Sequence, residues 1–127
     1  MGPRPGGLNA PVVLLVDTVE VEPARLDEYL EVVRTLGVPV MAEAGASLVA
    51  CGTTPPDMGE RVAVLVVWGL EDYEHWNDVR RRVVLDPRFY DYARAAGPLR
   101  SGGTRRFFTP TSFSPASSSS PASAAGR

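Results

Sequence analysis

The stretch Arg61-Val-Ala-Val-Leu-Val-Val-Trp-Gly-Leu70 decides the fold. Seven apolar residues in a row, Val62 to Trp68, are rich in β-branched side chains and are bounded by turn-forming residues, so they read as a strand. A strand sends alternate side chains to opposite faces. Val62, Val64, Val66 and Trp68 therefore share one face, and Ala63, Leu65 and Val67 share the other. A sheet with one face in water alternates apolar and polar residues. This strand does not alternate, so both of its faces want to leave water.

Working outward, Pro11–Val21 repeats the pattern: a continuous apolar run from Val12 to Val16, then Asp17, Thr18, Val19, Glu20 and Val21. Pro23 suits the first turn of a helix. Leu26, Tyr29, Leu30, Val33 and Leu36 follow at helical spacing, and Gly37 with Pro39 is expected to end that helix. Gly45–Thr53 reads as a second strand and Thr54–Gly59 as a turn. A helix is expected over about 71–84, with Tyr73, Trp76, Arg80 and Val83 along one stripe. Asp86-Pro87 opens a further short helix, since Asp is a good N-cap and Pro a good first residue. Phe89, Tyr92, Ala93 and Ala96 form its apolar stripe, and Gly97-Pro98 closes it. Thr104–Phe113 is the expected last strand.

The order β-α-β-β-α-α-β is the split βαβ plan: an α+β, ferredoxin-like domain with a four-stranded antiparallel sheet. Helices cover one face of such a sheet. The second apolar face exceeds what monomers usually expose, and the expected solution is a homodimer with two sheets face to face, a dimeric α+β barrel.

Composition bounds the rest. The chain has 127 residues, 13 basic and 15 acidic side chains and a formal net charge of -2. No strongly basic surface is present, so neither nucleic acid nor an anionic membrane is an expected partner. Every basic residue is Arg, and Lys, Ile and Gln are absent, a bias that reads as high-GC coding. No apolar run reaches the roughly 18 residues of a membrane span or the form of a signal peptide. A cytoplasmic protein is expected, with residues 1–10 a flexible leader, 11–113 the domain and 114–127 a disordered Ser/Pro/Ala-rich tail. The lone Cys51 allows no intrachain disulfide and no multi-cysteine zinc site; it reads as a buried, inert thiol.

Val62–Trp68, Tyr73-Glu-His-Trp76, Asp86-Pro-Arg-Phe89 and the stretch from Tyr92 to Leu99 together resemble the NIPSNAP branch of the dimeric α+β barrel superfamily. The resemblance covers nearly all of 11–113. It implies a barrel with an internal cavity in each subunit, in a superfamily that includes cofactor-free monooxygenases, polyketide cyclases, isomerases and haem binders. Where relatives commonly carry Glu, Arg and Tyr at alternate positions of the first strand, this sequence has Leu15, Asp17 and Val19, which leaves Asp17 alone to fill a polar role.

The chemistry-bearing residues are few. Asp17 interrupts an apolar strand, so its charge must be paired, hydrogen-bonded or set in a wet cavity. It is a candidate base or orienter; equally, it could pair with one of Arg80, Arg81 and Arg82. His75, the single histidine, is a candidate acid/base or an ordinary flank residue. Trp68, Tyr73 and Trp76 are candidate substrate-binding aromatics or simply core, and Trp68 is the best cavity candidate because it ends a strand whose free face should look into the barrel. Arg105 and Arg106 point to opposite faces, and Arg106 is assigned inward, where it could hold a carboxylate or enolate. One histidine excludes a histidine-cluster metal site, and there is no P-loop, dinucleotide fingerprint or nucleophile elbow, so no metal or cofactor is expected. The expected function is a small cofactor-independent tailoring enzyme of cyclase, isomerase or monooxygenase type. It would hold an apolar, aromatic or polyketide-like molecule in the barrel. The alternative is a non-catalytic homodimeric binding or interaction module.

Overall fold

A computed structural model describes residues 13–57 and 59–116. Four strands, β1 (Val13–Val21), β2 (Ser47–Thr53), β3 (Val62–Leu70) and β4 (Arg100–Phe108), form one antiparallel sheet in the order β2-β3-β1-β4. Helices α1 (Leu26–Val32), α2 (Val38–Ala44), α3 (Tyr73–Leu85) and α4 (Pro87–Ala96) connect them. This is the expected α+β, ferredoxin-like plan. The leader assigned to 1–10, and residues 117–127 of the expected tail, lie outside the described residues.

The two central strands pair Val13 with Leu70, Leu15 with Trp68, Asp17 with Val66, Val19 with Val64 and Val21 with Val62. All of these except Asp17 are buried under the helices. The intervening positions, Leu14, Val16, Ala63, Leu65 and Val67, lie on the opposite face, which none of the four helices among the described residues covers. There Leu65 is 39% exposed and Phe108, opposite Leu14, is 42% exposed. The non-alternating strands thus yield one buried face and one open apolar face, as their sequence requires.

The first helix outruns its expected end. Gly37 keeps right-handed helical dihedrals (φ -66°, ψ -49°), and the helix continues to Ala44. Between α1 and α2 a π-helical stretch, Val33–Gly37, widens the ladder: the Val38 N–H donates to the Val33 carbonyl, five residues back. That widened turn is where Pro39, which has no N–H and crowds the preceding turn, is tolerated. Termination falls to Gly45, whose φ of +116° is left-handed. Its N–H donates to Ala42 (3.1 Å), and the N–H of Ala46 donates to Met41 (3.0 Å), closing the helix in the manner that favours glycine.

The later helix starts follow the sequence. The Asp72 carboxylate accepts the His75 N–H (2.7 Å) at the start of α3, and the Asp86 carboxylate accepts the Arg88 N–H (2.9 Å) at the start of α4. β4 begins at Arg100, four residues before its expected start and ends at Phe108, because Gly102 and Gly103 pair with Glu20 and Val19 as strand residues and do not break the ladder. Cys51 is exposed, not buried: β2 is an edge strand, and every one of its residues is exposed. Partial burial pushes its thiol up, the opposite of an activated nucleophile.

Candidate functional site

Between the sheet and its helices lies a cavity of about 870 Å3. The floor comes from β1, β3 and β4, and the walls from all four helices and the π-helical stretch. Most of the lining is apolar: Val19, Val33, Val40, Met41, Val66, Val83 and Phe89. Its position corrects the expectation drawn for Trp68. That residue was assigned to the free face of β3, looking into a barrel between two sheets. The structure places it on the helix-covered face, 4% exposed, because the even-numbered positions of β3 lie under the helices. The cavity belongs to the space beneath the helices of a single chain.

One polar cluster is set into this wall. Asp17 sits between the buried Leu15 and Val19 on β1, on the helix-covered face. Its carboxylate accepts hydrogen bonds from Arg105 Nε (2.7 Å), Arg105 Nη2 (2.9 Å) and Trp68 Nε1 (3.3 Å). Arg105 stands directly opposite Asp17 in the β1–β4 register, which fixes the pair through the backbone. Its guanidinium lies 5.2 Å from the centre of the Trp76 ring, a cation–π contact that links the cluster to α3. Asp17 holds the guanidinium above its ordinary pKa through the paired hydrogen bonds.

The ion pair was expected, among other readings, with the arginine run of α3. The structure gives those residues other partners. Arg80 hydrogen-bonds Asn77, Arg81 pairs with Asp78, and Arg82 donates to the Ala44 carbonyl (3.1 Å). The assignment of Arg106 inward is also reversed. Arg106 pairs with Val16 in the register and lies on the open sheet face near the Phe108 ring, while Arg105 faces the cavity. Strand parity predicts that one of the two faces inward; only the true register says which.

Of the residues proposed from sequence, Asp17, Trp68 and Trp76 line the cavity together. His75, Tyr73 and Arg106 are not in its wall. His75 is committed to the start of α3, where its Nδ1 accepts the Glu71 N–H (2.9 Å) and its Nε2 lies toward Gly45. Tyr73 is 54% exposed and packs edge-on against Phe107, with ring centres 5.5 Å apart.

Sequence reasoning missed Tyr29 and Tyr92 as site residues. Both carry the helical periodicity of core positions, and nothing local marks a core tyrosine that also lines a cavity. Burial pushes the Tyr29 phenol far above its ordinary range, with Tyr92 beside it adding to the shift and Arg100 opposing it. Tyr92 approaches the π-helical stretch so closely that a Cβ on Gly37 would come within 3.0 Å of its ring. Gly37 is therefore needed for this contact, not for helix termination. Among the described residues, no three His, Cys, Asp or Glu side chains gather closely enough to hold a metal ion.

A family model described as NIPSNAP matches residues 16–115. The chain belongs to the NIPSNAP family. Solved structures of this family share the fold. A NIPSNAP family protein of unknown function from Agrobacterium tumefaciens superposes with a TM-score of 0.74 at 18% identity, covering 85% of this chain and 96% of that one. An uncharacterised NIPSNAP domain protein from Burkholderia xenovorans gives 0.71 at 23% identity, covering 81% and 98%. Beyond the family, SnoaB from Streptomyces nogalater, a cofactor-independent oxygenase, gives 0.56 at 20% identity, covering 84% and 99%. These likenesses show that this NIPSNAP chain shares the ferredoxin-like α+β fold of those proteins. No curated protein matches its sequence.

Proposed function

We propose that the protein is a homodimeric small-molecule enzyme of the cofactor-independent tailoring kind. In this reading the cavity holds an apolar, aromatic or polyketide-like substrate against the Asp17–Arg105 pair. The observation that carries the reading is that pair: a carboxylate and a guanidinium, fixed by register and by Trp68 and Trp76, in a cavity that is otherwise mainly apolar. A cavity of this size suits a molecule of a few fused or linked rings.

The chemistry follows from the two groups. A C–H next to a carbonyl of the bound molecule gives its proton to an Asp17 oxygen. The electron pair moves to the substrate oxygen as an enolate, which the Arg105 guanidinium stabilises. Return of the proton to another carbon completes an isomerisation. Attack of the enolate on a second carbonyl, with the alkoxide taking the proton back from Asp17, completes a cyclisation. With molecular oxygen as oxidant, a methylene becomes a carbonyl and the second oxygen atom leaves as water. The open apolar sheet face supports the homodimer, since a second copy would cover Leu14, Val16, Leu65 and Val67.

Deuterium uptake at the carbons flanking the carbonyl of 2-tetralone, followed by NMR in heavy water, tests the reaction. Wild-type protein is expected to accelerate exchange, and Asp17→Asn to abolish the acceleration. Saturable binding with no acceleration would sink the enzyme reading and leave a second one, a non-catalytic homodimeric binding module. Two observations favour that alternative: both Asp17 oxygens are already engaged, and His75 lies outside the cavity.

A further inference from the structure

The cavity carries more positive charge than the Asp17–Arg105 pair accounts for. Its wall also includes Arg80 and Arg100, while Asp17 is the only acidic residue among those lining it. Among the described residues, neither Arg80 nor Arg100 forms an ion pair.

Arg100 is aimed into the cavity by a bulge. In the β1–β4 ladder Gly102 lies opposite Glu20, but Arg100, not Ser101, lies opposite Val21. The extra residue switches Arg100 to the helix-covered face. Ser101 is held in the bulge by a bond from its hydroxyl to the Glu20 carbonyl (3.2 Å) and one from Arg61 Nη1 to its oxygen (2.9 Å). The Arg100 guanidinium then lies over Gly103, where a Cβ would sit 2.6 Å from its Nη2. A side chain at position 103 would displace the guanidinium from this seat. Gly103 is two residues from Arg105 on the same face, or about 6.7 Å along the strand.

We propose that Arg100, seated on Gly103, forms with Arg105 an anion-recognition edge along β4, and that the substrate is an apolar molecule bearing a carboxylate. This inference rests on the cavity being a small-molecule site. Asp17 itself shows that this wall accepts a planar two-oxygen anion against a guanidinium, the geometry that a ligand carboxylate would reproduce at Arg100.

The test uses the full chain and N-phenyl-1-naphthylamine, a neutral dye that brightens in apolar surroundings. It is displaced by 2-naphthoate, neutral 2-naphthamide or 2-naphthyl phosphate. Loss of a charge-assisted contact in Arg100→Gln should weaken 2-naphthoate about tenfold and leave 2-naphthamide unchanged. Gly103→Ala keeps every charge but closes the seat, and should weaken 2-naphthoate selectively as well. Its Cβ would also come 2.9 Å from the Thr18 carbonyl, so Arg100→Gln remains decisive if Gly103→Ala unfolds. Arg106→Gln, on the open face, should change nothing. Equal weakening of naphthoate and naphthamide, or none, would overturn the proposal. Selective weakening of the phosphate ester alone would overturn the carboxylate assignment. Failure of the dye itself to bind saturably would overturn the cavity reading beneath it.

Discussion

Replacing Asp17 with alanine leaves a guanidinium and an indole N–H without their shared acceptor. The carboxylate takes three hydrogen bonds, two of them a bidentate contact with Arg105 at 2.7 and 2.9 Å. The Asp17 side chain is 19% exposed and that of Arg105 49% exposed, so the aspartate is substantially desolvated and the arginine about half so. A hydrogen bond to a charged group contributes about 1.5–3 kcal/mol where water is excluded, and an exposed pair about 0–1 kcal/mol. A half-buried bidentate pair belongs between these limits, so a coupling energy of about 1–2 kcal/mol is expected. In a domain of this size that corresponds to a Tm lowered by roughly 4–8 °C. Urea unfolding of wild type, Asp17→Ala, Arg105→Ala and the double variant, at one fixed protein concentration, gives the coupling directly. Asp17→Asn should fall between wild type and Asp17→Ala, since its amide oxygen still accepts from Trp68. A coupling below about 0.5 kcal/mol would show that the pair behaves as a surface contact, and would refute the view that it is a fixed element of the cavity wall.

Other expectations are independent of that pair. Gly45→Ala forces a side chain into a left-handed conformation at φ +116° and toward His75 Nε2, so the urea midpoint should drop by the equivalent of about 1–2 kcal/mol, with dye binding in the cavity retained. His75→Ala should leave ligand affinity unaltered, because His75 serves the Glu71 N–H outside the cavity; a large loss would return it to the site. Arg88 bridges Glu43 on α2 and Asp86 at the start of α4, and its hydrogen bonds hold both carboxyls below their ordinary values. Stability from these lowered values is present above the unfolded carboxylate range and is lost as pH falls through the folded ones. Urea midpoints followed downward from about pH 6 should therefore fall less steeply in Glu43→Gln than in wild type. Leu65→Glu, on the open face, should convert a dimer into monomer in sedimentation velocity, and an unchanged mass would refute the paired-sheet arrangement.

The fold was legible because the strands carry their own account of burial. A run such as Val62–Trp68 cannot satisfy both faces within one small domain, and the structure shows one face under helices and the other open. Asp17 was visible for the same reason, as a charge where the pattern demands an apolar residue. Which arginine meets it was not visible, because Arg105 and Arg106 differ only by register across a long connection. The helix end was misplaced because Gly37 and Pro39 normally terminate helices. Here the π-helical stretch accommodates Pro39, and the missing side chain of Gly37 makes room for Tyr92. Tyr29 and Tyr92 are indistinguishable from core residues until α1 and α4 are placed over the sheet. Arg100 depends on a one-residue bulge that no periodicity announces.

The central claim is that the space beneath the helices is a ligand site. Native mass spectrometry of the full chain with N-phenyl-1-naphthylamine tests it most directly, comparing wild type with Ala93→Trp, which inserts an indole into the cavity wall from α4. One dye per chain is expected in the wild type, and loss of that adduct in a folded Ala93→Trp. Equal occupancy in the two proteins, or no adduct in the wild type, would contradict it.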